Sequence, residues 1–200
     1  MKRHLRQQLD ALDYALRGLD EELVEKLSND CVTVINNGGK IVATGLGKNV
    51  PICEKFVGTL QSLSIGAHFL NTNSAVHGDL GAVNDGDLVI ILSKSGETDE
   101  TVYLASLLSN IGTTNWLLTC SGDSTVASVL GSSNQVVIPV EHEGDPWNLV
   151  PNNSSMAFLV FLQALSMKLI DAIPVNIDDF KRNHPGGHIG KLLNEKENKN

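Results

Sequence analysis

Three hydroxyl side chains surround a glycine directly after residues 87–92, the most hydrophobic short segment of the chain. Residues 93–98 read Ser-Lys-Ser-Gly-Glu-Thr, and a helical pattern begins after them. Gly96 permits a tight turn, and the helix start leaves backbone N–H groups free to bind an anion. Further donors come from Ser93, Ser95 and Thr98, with a positive charge on Lys94. These residues predict a phosphate-binding loop, named the serine loop below, although an ordinary capped helix start uses the same residue types.

Two carboxylates, Glu97 and Glu100, lie in the first turn of that predicted helix. Carboxylates near a helix N-terminus interact favourably with the helix dipole, which explains both residues without any ligand. Because a bound phosphate repels a carboxylate, Glu100 is expected to point elsewhere, toward the reactive end of a sugar or toward a lysine.

The first predicted strand leads into a second loop, residues 45–48, which reads Gly-Leu-Gly-Lys. Two glycines after a strand let a ligand approach the backbone closely. The pattern is not that of a dinucleotide loop, because Pro-Ile-Cys at 51–53 stands where the final glycine is needed. Gly47 and Asn49 flank Lys48, which is either an electrostatic clamp on a ligand or a solvated surface lysine.

Several titratable side chains follow the fifth predicted strand, in residues 141–146. Removal of a proton from a carbon beside a carbonyl needs a carboxylate or an imidazole in a water-poor site, and this segment offers Glu141, His142 and Glu143. A solvated acidic loop is the alternative. Asn153 and Ser154 then open a long helix, where amides and hydroxyls offer further ligand contacts.

A rigid turn lies near the C-terminus, where residues 183–188 read Asn-His-Pro-Gly-Gly-His. Pro-Gly-Gly can hold His184 in one orientation, although the same residues also serve as a simple helix stop. No Cys or carboxylate joins His184 and His188 at ligand spacing, so no metal site is predicted.

An alternation of strands and helices must position these loops. The predicted strands are 41–44, 67–70, 87–92, 116–119 and 136–139, and the predicted helices between and after them are 49–63, 97–110, 124–130 and 153–172. This order predicts a doubly wound α/β domain, in which a parallel sheet is covered by helices on both faces. Ligands bind beyond the carboxyl ends of the strands in such folds, where the candidate loops lie. Leucines at helical spacing predict two further helices at the N-terminus, with Asp20 as the cap of the second.

Composition limits the class of protein. The chain has 200 residues, a net charge of -8 and 42% hydrophobic residues but only 4% aromatic ones, which predicts one domain with an aliphatic core. The acidic balance argues against nucleic acid as the main partner. Three scattered cysteines indicate no disulfide framework, so Cys53 and Cys120 are predicted to be buried thiols.

The sequence also predicts a location and domain limits. No signal peptide is evident, and the apolar run at 156–169 is shorter than a membrane span needs, so we predict a buried helix, no membrane partner and a cytoplasmic location. The predicted organisation is N-terminal helices over 1–38, the main domain over 39–193 and a polar tail over 194–200.

Taken together, these motifs resemble the sugar isomerase (SIS) family, specifically its arabinose 5-phosphate isomerase group. The blocks that carry the resemblance are Thr-Gly-Leu-Gly-Lys at 44–48, Ala-Val-His-Gly-Asp-Leu-Gly at 75–81, the serine loop with the following Asp-Glu, and His-Pro-Gly-Gly-His-Ile-Gly-Lys-Leu-Leu at 184–193. They span nearly the whole chain. The long form of the group adds a C-terminal pair of CBS domains, and the 200 residues match the part before them.

The resemblance implies a three-layer αβα sandwich of the SIS, flavodoxin-like type with a five-stranded parallel sheet. It also implies a homotetramer with sites near subunit interfaces, and aldose–ketose isomerisation of a sugar phosphate with no cofactor. The implied catalytic residues are Lys48, Glu100, Glu143 and His184. The implied substrate-binding residues are Gly47, Asn49, His77, Ser93, Lys94, Ser95, Thr98, Asn153 and Ser154.

A mechanism follows from the resemblance as a hypothesis. His184 assists ring opening, Glu143 moves a proton between the first two carbons through a cis-enediol, and Lys48 stabilises the enediolate oxygen. Glu100 orients Lys48 or a sugar hydroxyl, and the roles of Glu143 and His184 are interchangeable at this stage. The alternatives are a non-catalytic module that senses a sugar phosphate or sugar nucleotide, or an isomerase of hexulose 6-phosphate or heptose phosphate.

Several positions depart from the group's usual pattern. Asn49 and Val50 stand where Ser-Gly is usual, and Asn152 and Asn153 lead a turn that usually carries Thr and Ser. Gly144 and the two residues after it replace Ala-Cys-Pro. These differences affect the predicted sugar more than the predicted reaction.

Overall fold

The hydrophobic runs of the sequence form strands, and the segments between them form helices. A computed structural model of the protein describes residues 1–131 and 133–197. The strands are β1 (Ile41–Gly45), β2 (Ala67–Asn71), β3 (Leu88–Leu92), β4 (Thr114–Thr119) and β5 (Gln135–Val137). The helices are α1 (Lys2–Arg17), α2 (Glu21–Asn36), α3 (Asn49–Ser62), α4 (Thr72–Ala75), α5 (Asp99–Leu108), α6 (Thr125–Leu130), α7 (Asn153–Ala172), α8 (Ile177–Asn183) and α9 (Gly187–Glu197). A 3₁₀ turn at Asp79–Ala82 separates α4 from β3.

The five strands form one parallel sheet in the order β2-β1-β3-β4-β5. β1 and β3 are buried along their whole length, because helices cover both faces of the sheet. The strand order reverses between β1 and β3, whose last residues, Gly45 and Leu92, are paired in register. The loops after these two strands therefore flank the crevice in which doubly wound sheets bind ligands.

Side chains alternate between two apolar layers along each central strand. Leu88, Ile90 and Leu92 of β3 pack in the layer that contains α2, α3 and α7. Val89 and Ile91 pack in the opposite layer, which contains α4, α5 and α6. The predicted three-layer αβα sandwich is thus confirmed.

Helix α7 supplies much of the first layer. Phe158, Phe161 and Leu165 of this helix are buried in the core. By length and composition alone α7 is also apolar enough to cross a membrane, a property that core helices of soluble proteins share.

The N-terminal helices pack on the same layer. The Asp20 carboxylate accepts hydrogen bonds from the Glu22 and Leu23 amides, which confirms the predicted cap of α2. Ala15 and Leu27 are buried in the core, whereas residues 1–10 are exposed. This hairpin therefore joins the domain through the second half of α1 and through α2.

Two predictions for individual segments need correction. Helix α9 continues to Glu197, so a helix extends into the predicted tail 194–200, of which 198–200 lie outside the described residues. Cys53 is buried as predicted, but Cys120 is only partly buried. It directly follows the last residue of β4 and packs against the core without being fully buried.

Candidate active site

The serine loop connects β3 to α5 and is held in shape by its own hydroxyls. The Ser93 hydroxyl accepts a hydrogen bond from the Gly96 amide (3.1 Å), and the Ser95 hydroxyl accepts one from the Glu97 amide (3.2 Å). Each hydroxyl keeps its hydrogen for donation to an anion. Thr98 precedes α5 without capping it through its side chain, so this hydroxyl also remains available. The loop thus offers the donors that a phosphate needs.

Gly96 is required where the serine loop touches α6. Its φ angle is +68°, and a Cβ atom there would lie 2.3 Å from the Ser124 hydroxyl oxygen. The Gly96 carbonyl accepts a hydrogen bond from the Val126 amide. A larger residue would push the loop off α6.

Glu97 turns away from the loop and binds the start of α6. Its carboxylate accepts hydrogen bonds from the Thr125 hydroxyl (2.7 Å) and the Thr125 amide (2.8 Å). These bonds lower the pKa of the Glu97 carboxyl. The negative charge that would repel a phosphate is therefore committed to a structural contact.

Glu143, just after β5, is fully buried at the N-terminus of α7. Its carboxylate accepts hydrogen bonds from the amides of Asn152 (2.9 Å) and Ser154 (3.0 Å) and from the Ser154 hydroxyl. The Lys94 ammonium lies 2.7 Å from the Glu143 Oε1 atom. Burial alone would raise the pKa of this carboxyl, but the bonds from Lys94, Ser154 and Asn152 outweigh burial and lower it. The structure thus places an ionised carboxylate beside the serine loop.

The loop that presents Glu143 is ordered by two polar side chains. Asp145 accepts hydrogen bonds from the amides of Trp147, Leu149 and Val150. The Asn148 side chain accepts a bond of 2.7 Å from the Glu143 amide. These contacts fix the backbone on both sides of Gly144, where φ is +90°.

Asn153, in the first turn of α7, has one unsatisfied polar atom. Its side-chain nitrogen donates to the His142 carbonyl (2.7 Å), while its buried Oδ1 atom has no partner among the described residues. A ligand hydroxyl that reached this atom would satisfy it.

The loop after β1 reaches the start of the serine loop. The Asn49 side chain donates to the Leu92 carbonyl (3.1 Å), which ties α3 to the end of β3. Gly47 has a φ of +58°, and Lys48 is exposed with no ion pair among residues 1–131 and 133–193. The structure thus places the Lys48 backbone at the start of α3, beside the carboxyl end of β1, with an exposed side chain.

Glu100 and His77 share a small cavity of about 230 Å³ between α4 and α5. Thr72 and Tyr103 also line it. Glu100 makes no ion pair with Lys48 in the described part of the chain. Of the two roles predicted for Glu100, the contact with Lys48 is not formed among the described residues, and the contact with a sugar hydroxyl stays a prediction. The contact between Lys94 and Glu143 was not predicted.

His184 lies at the opposite edge of the sheet. Its Nδ1 atom is 2.7 Å from the Phe180 carbonyl oxygen, and its ring stacks on the Phe180 ring. The neighbouring Asn183 side chain donates to the Ser62 carbonyl and the Ser64 hydroxyl, at the end of α3 that leads into β2. A helix as long as α3 spans about 20 Å. One chain therefore does not bring His184 to the other predicted catalytic residues.

Two further features near the site gave no signal in the sequence. Cys120 donates its amide to the Lys94 carbonyl, and burial and then the Glu143 charge raise the pKa of its thiol to about 12, so it stays protonated. A cavity of about 390 Å³ lies between α1 and the loop around Glu143, where the Tyr14 hydroxyl donates to Glu141 (2.7 Å). These contacts join residues that are far apart in the chain, so no local sequence motif predicts them.

Comparison with known proteins identifies relatives of the whole arrangement. The family model described as SIS domain matches residues 34–167. The arabinose 5-phosphate isomerase KdsD of Pseudomonas aeruginosa is 32% identical over 184 residues, which are 92% of this chain and 55% of that protein. The arabinose 5-phosphate isomerase KpsF of Escherichia coli is 31% identical over 193 residues, which are 96% of this chain and 58% of that protein. This chain thus spans little more than half the length of these curated relatives.

A solved structure shares the fold at a similar level of identity. A protein of E. coli CFT073, solved in complex with arabinose 5-phosphate, superposes with a TM-score of 0.81 and 31% identity. The superposition covers 92% of this chain and 95% of that one. The two chains therefore share one fold over nearly their whole lengths.

Proposed function

Since the chain belongs to the SIS domain family, we propose that it is an aldose–ketose isomerase of a sugar phosphate. The proposed substrate is D-arabinose 5-phosphate, the sugar phosphate in the names of the curated relatives. Its proposed ketose product is D-ribulose 5-phosphate. The observation that carries the proposal is the buried, ionised Glu143 carboxylate beside the hydroxyl-rich serine loop. A phosphate anchor and a base at one sheet edge are the two groups that this isomerisation needs.

The proposed reaction moves one proton from C2 to C1 and one proton from the C2 hydroxyl to the C1 oxygen. The serine loop holds the phosphate, Glu143 removes the proton from C2 of the open-chain aldose, and the carbonyl oxygen at C1 gains a proton to give a cis-enediol. Return of the first proton to C1, with loss of the hydroxyl proton at C2, gives the ketose. Lys48 stabilises the developing oxygen charge, and His184 assists ring opening. No redox change occurs, so the proposal includes no cofactor.

We further propose that a second copy of the chain supplies His184. Within one chain this residue lies at the amino edge of the sheet, away from the serine loop. A homotetramer with sites near its subunit interfaces would place the histidine of one copy at the crevice of another. A cytoplasmic location is part of the proposal, as expected for an enzyme of phosphorylated sugars.

The test is an isomerisation assay over a panel of pentose, hexose, hexulose and heptose phosphates, with product analysis. Interconversion of arabinose 5-phosphate and ribulose 5-phosphate is the expected result. Preferred turnover of a hexulose or heptose phosphate would correct the substrate while it retained the reaction.

A sensor of sugar phosphates is the second candidate. It is favoured by the complete set of protein partners around Glu143, which leaves the carboxylate with no exposed surface. Binding of panel members without turnover of any would establish the sensor and reject the isomerase.

A further inference from the structure

Lys94 stands between the two anionic sites of the crevice. Its backbone lies in the serine loop between Ser93 and Ser95, and its ammonium lies 2.7 Å from the Glu143 carboxylate. A phosphate bound to the serine loop would therefore lie within reach of the same ammonium. One cation is available to two anions.

The two partners in this ion pair differ in mobility. The Glu143 side chain has no exposed surface and is held by Ser154 and the start of α7, whereas the Lys94 side chain is 41% exposed. The Lys94 backbone is fixed, because its carbonyl accepts bonds from the Cys120 amide and the Thr119 hydroxyl. A change at the site can therefore move the lysine side chain without moving the loop or the carboxylate.

We propose that Lys94 is a positioning residue that holds Glu143 in the unliganded protein and turns to the phosphate when a sugar phosphate binds. This movement frees one lone pair of the Glu143 Oε1 atom for the proton of the substrate carbon, while the Ser154 hydroxyl keeps the other. The phosphate attracts the ammonium more strongly than the carboxylate does, because it carries the larger charge. Glu143 keeps its bonds to Ser154 and to the α7 amides, so it stays in place. The inference rests on the proposed function, since it assigns Glu143 as the base.

The surroundings of Glu143 make Lys94 its main source of compensating charge. Glu141 and His142 precede it along the chain and are exposed, and the Cys120 thiol at the end of β4 is protonated. Lys94 is the only cation in an ion pair with Glu143 among residues 1–131 and 133–193. When the ammonium leaves, the pKa of Glu143 must rise. The carboxylate thus becomes a stronger base when substrate is present.

The experiment is a ¹³C NMR titration of the Glu143 carboxyl in the full chain, assigned with Glu143→Gln. It is run with and without a pentitol 5-phosphate, which has no carbonyl and cannot isomerise. In the unmodified protein the pKa of Glu143 should rise when the pentitol phosphate binds. In Lys94→Met it should be raised already without ligand and should rise less on binding.

Two variants separate the lysine effect from other causes. Lys94→Arg should restore a low pKa for Glu143 in the free protein, because it keeps the charge. Lys55→Met, which removes an exposed lysine on α3, should titrate like the unmodified protein. The charge of the ligand raises the pKa in every variant, so the difference between Lys94→Met and the unmodified protein isolates the lysine.

The kinetic counterpart is a loss of kcat/KM of about tenfold to a hundredfold in Lys94→Met, as expected for one charge-assisted hydrogen bond to phosphate. If free Lys94→Met titrates like the unmodified protein, the inference is wrong. The same holds if the pentitol phosphate does not bind, or binds without moving the Glu143 titration. A rise in the pKa of Glu143 on binding, without turnover of any sugar phosphate, would reject the isomerase and keep the lysine movement. Turnover of a sugar phosphate without a shift in the Glu143 titration would keep the isomerase and reject the lysine movement.

Discussion

At the scale of single residues, the candidate base Glu143 differs from the other predicted catalytic groups in its burial and its hydrogen bonds. Glu143 is buried, ionised and surrounded by donors, whereas Lys48 and Glu100 are exposed. The nearby Glu141 is chemically identical but exposed, and its carboxylate accepts a hydrogen bond from the Tyr14 hydroxyl. Burial against the start of α7, rather than residue type, makes Glu143 the candidate.

Replacement of Glu143 by Gln should reduce kcat by about 10²- to 10⁴-fold, the usual contribution of a general base. The amide keeps the shape of the side chain but cannot accept the proton. Steady-state kinetics with the best sugar phosphate of the panel measure the loss. Glu141→Gln is the matched control and should retain nearly full kcat. A Glu143→Gln enzyme within about threefold of the unmodified one would remove Glu143 from the mechanism.

At the scale of elements, the serine loop depends on α6, which follows the next strand. Glu97 and Gly96 carry the contact through Thr125 and Val126. The opposite end of the sheet has its own clamp, where Asp87 accepts bonds from the amides of Lys40 and Asn84 and from the Lys40 ammonium. The first contact shapes the site, and the second holds the starts of β1 and β3 together.

Loss of the contact between Glu97 and Thr125 should weaken phosphate binding more than catalysis. We expect KM to rise about three- to tenfold in Glu97→Ala with kcat little changed, because the loop loses the two hydrogen bonds that tie it to the start of α6. Thr125→Val should have a similar effect, and the double variant should be little worse than either single one. Additive losses in this double-mutant cycle would show that the two residues act separately.

Replacement of Asp87 by Asn should lower the free energy of unfolding by about 2–3 kcal/mol at pH 7, since it leaves the Lys40 ammonium without its partner. Burial raises the pKa of Asp87, but bonds from Lys40 and Asn84 outweigh it and lower the pKa below that of the unfolded chain. The carboxylate therefore stabilises the fold above the unfolded pKa of about 3.9, and the contribution is lost as pH falls through the folded pKa.

Urea unfolding at several pH values checks this prediction. The loss in free energy of unfolding that Asp87→Asn causes should be constant from about pH 6 to 8 and should shrink below about pH 4. Asp85→Asn, the same change at an exposed carboxylate bonded to the Gly112 amide, should cost less at pH 7. An equal loss in both variants would contradict a special role for the clamp.

At the scale of the whole molecule, one chain supplies an incomplete set of the predicted catalytic groups. The loops after β1 and β3 carry Lys48 and the serine loop, and Lys94 of the serine loop contacts Glu143, while His184 packs on Phe180 at the other edge. The two edges belong to one layered domain, and the sheet between them fixes their separation. Assembly with a second copy is the proposed way for His184 to reach a crevice.

Mixing two inactive chains tests that assembly. Glu143→Gln and His184→Gln chains should each lack activity alone, but refolded together they should regain about one quarter of the unmodified activity, because random pairing restores that share of sites. A mixture of Glu143→Gln with unmodified chains controls for simple dilution. If the two variants stay inactive together although they co-assemble, His184 and Glu143 do not act across an interface.

The order of elements was predictable from the sequence because it depends on local patterns. Apolar runs such as 87–92 form strands, and helical spacing and caps such as Asp20 mark the helices, so each prediction needs only nearby residues. The parallel sheet then follows from the alternation of elements, and with it the edge that carries the loops of Lys48 and Ser93.

The partners of each side chain were decided by the tertiary structure. Lys94 and Glu143 are 49 positions apart in the chain, Glu97 and Thr125 are 28 apart, and no local pattern relates them. His184 was assigned to the same site by motif, yet the packing of Asn183 on the end of α3 holds it at the far edge. Residue type and local spacing thus determined which groups are present and at which element ends. Distances and charges within the site depend on contacts between remote segments, which form only when the layers pack.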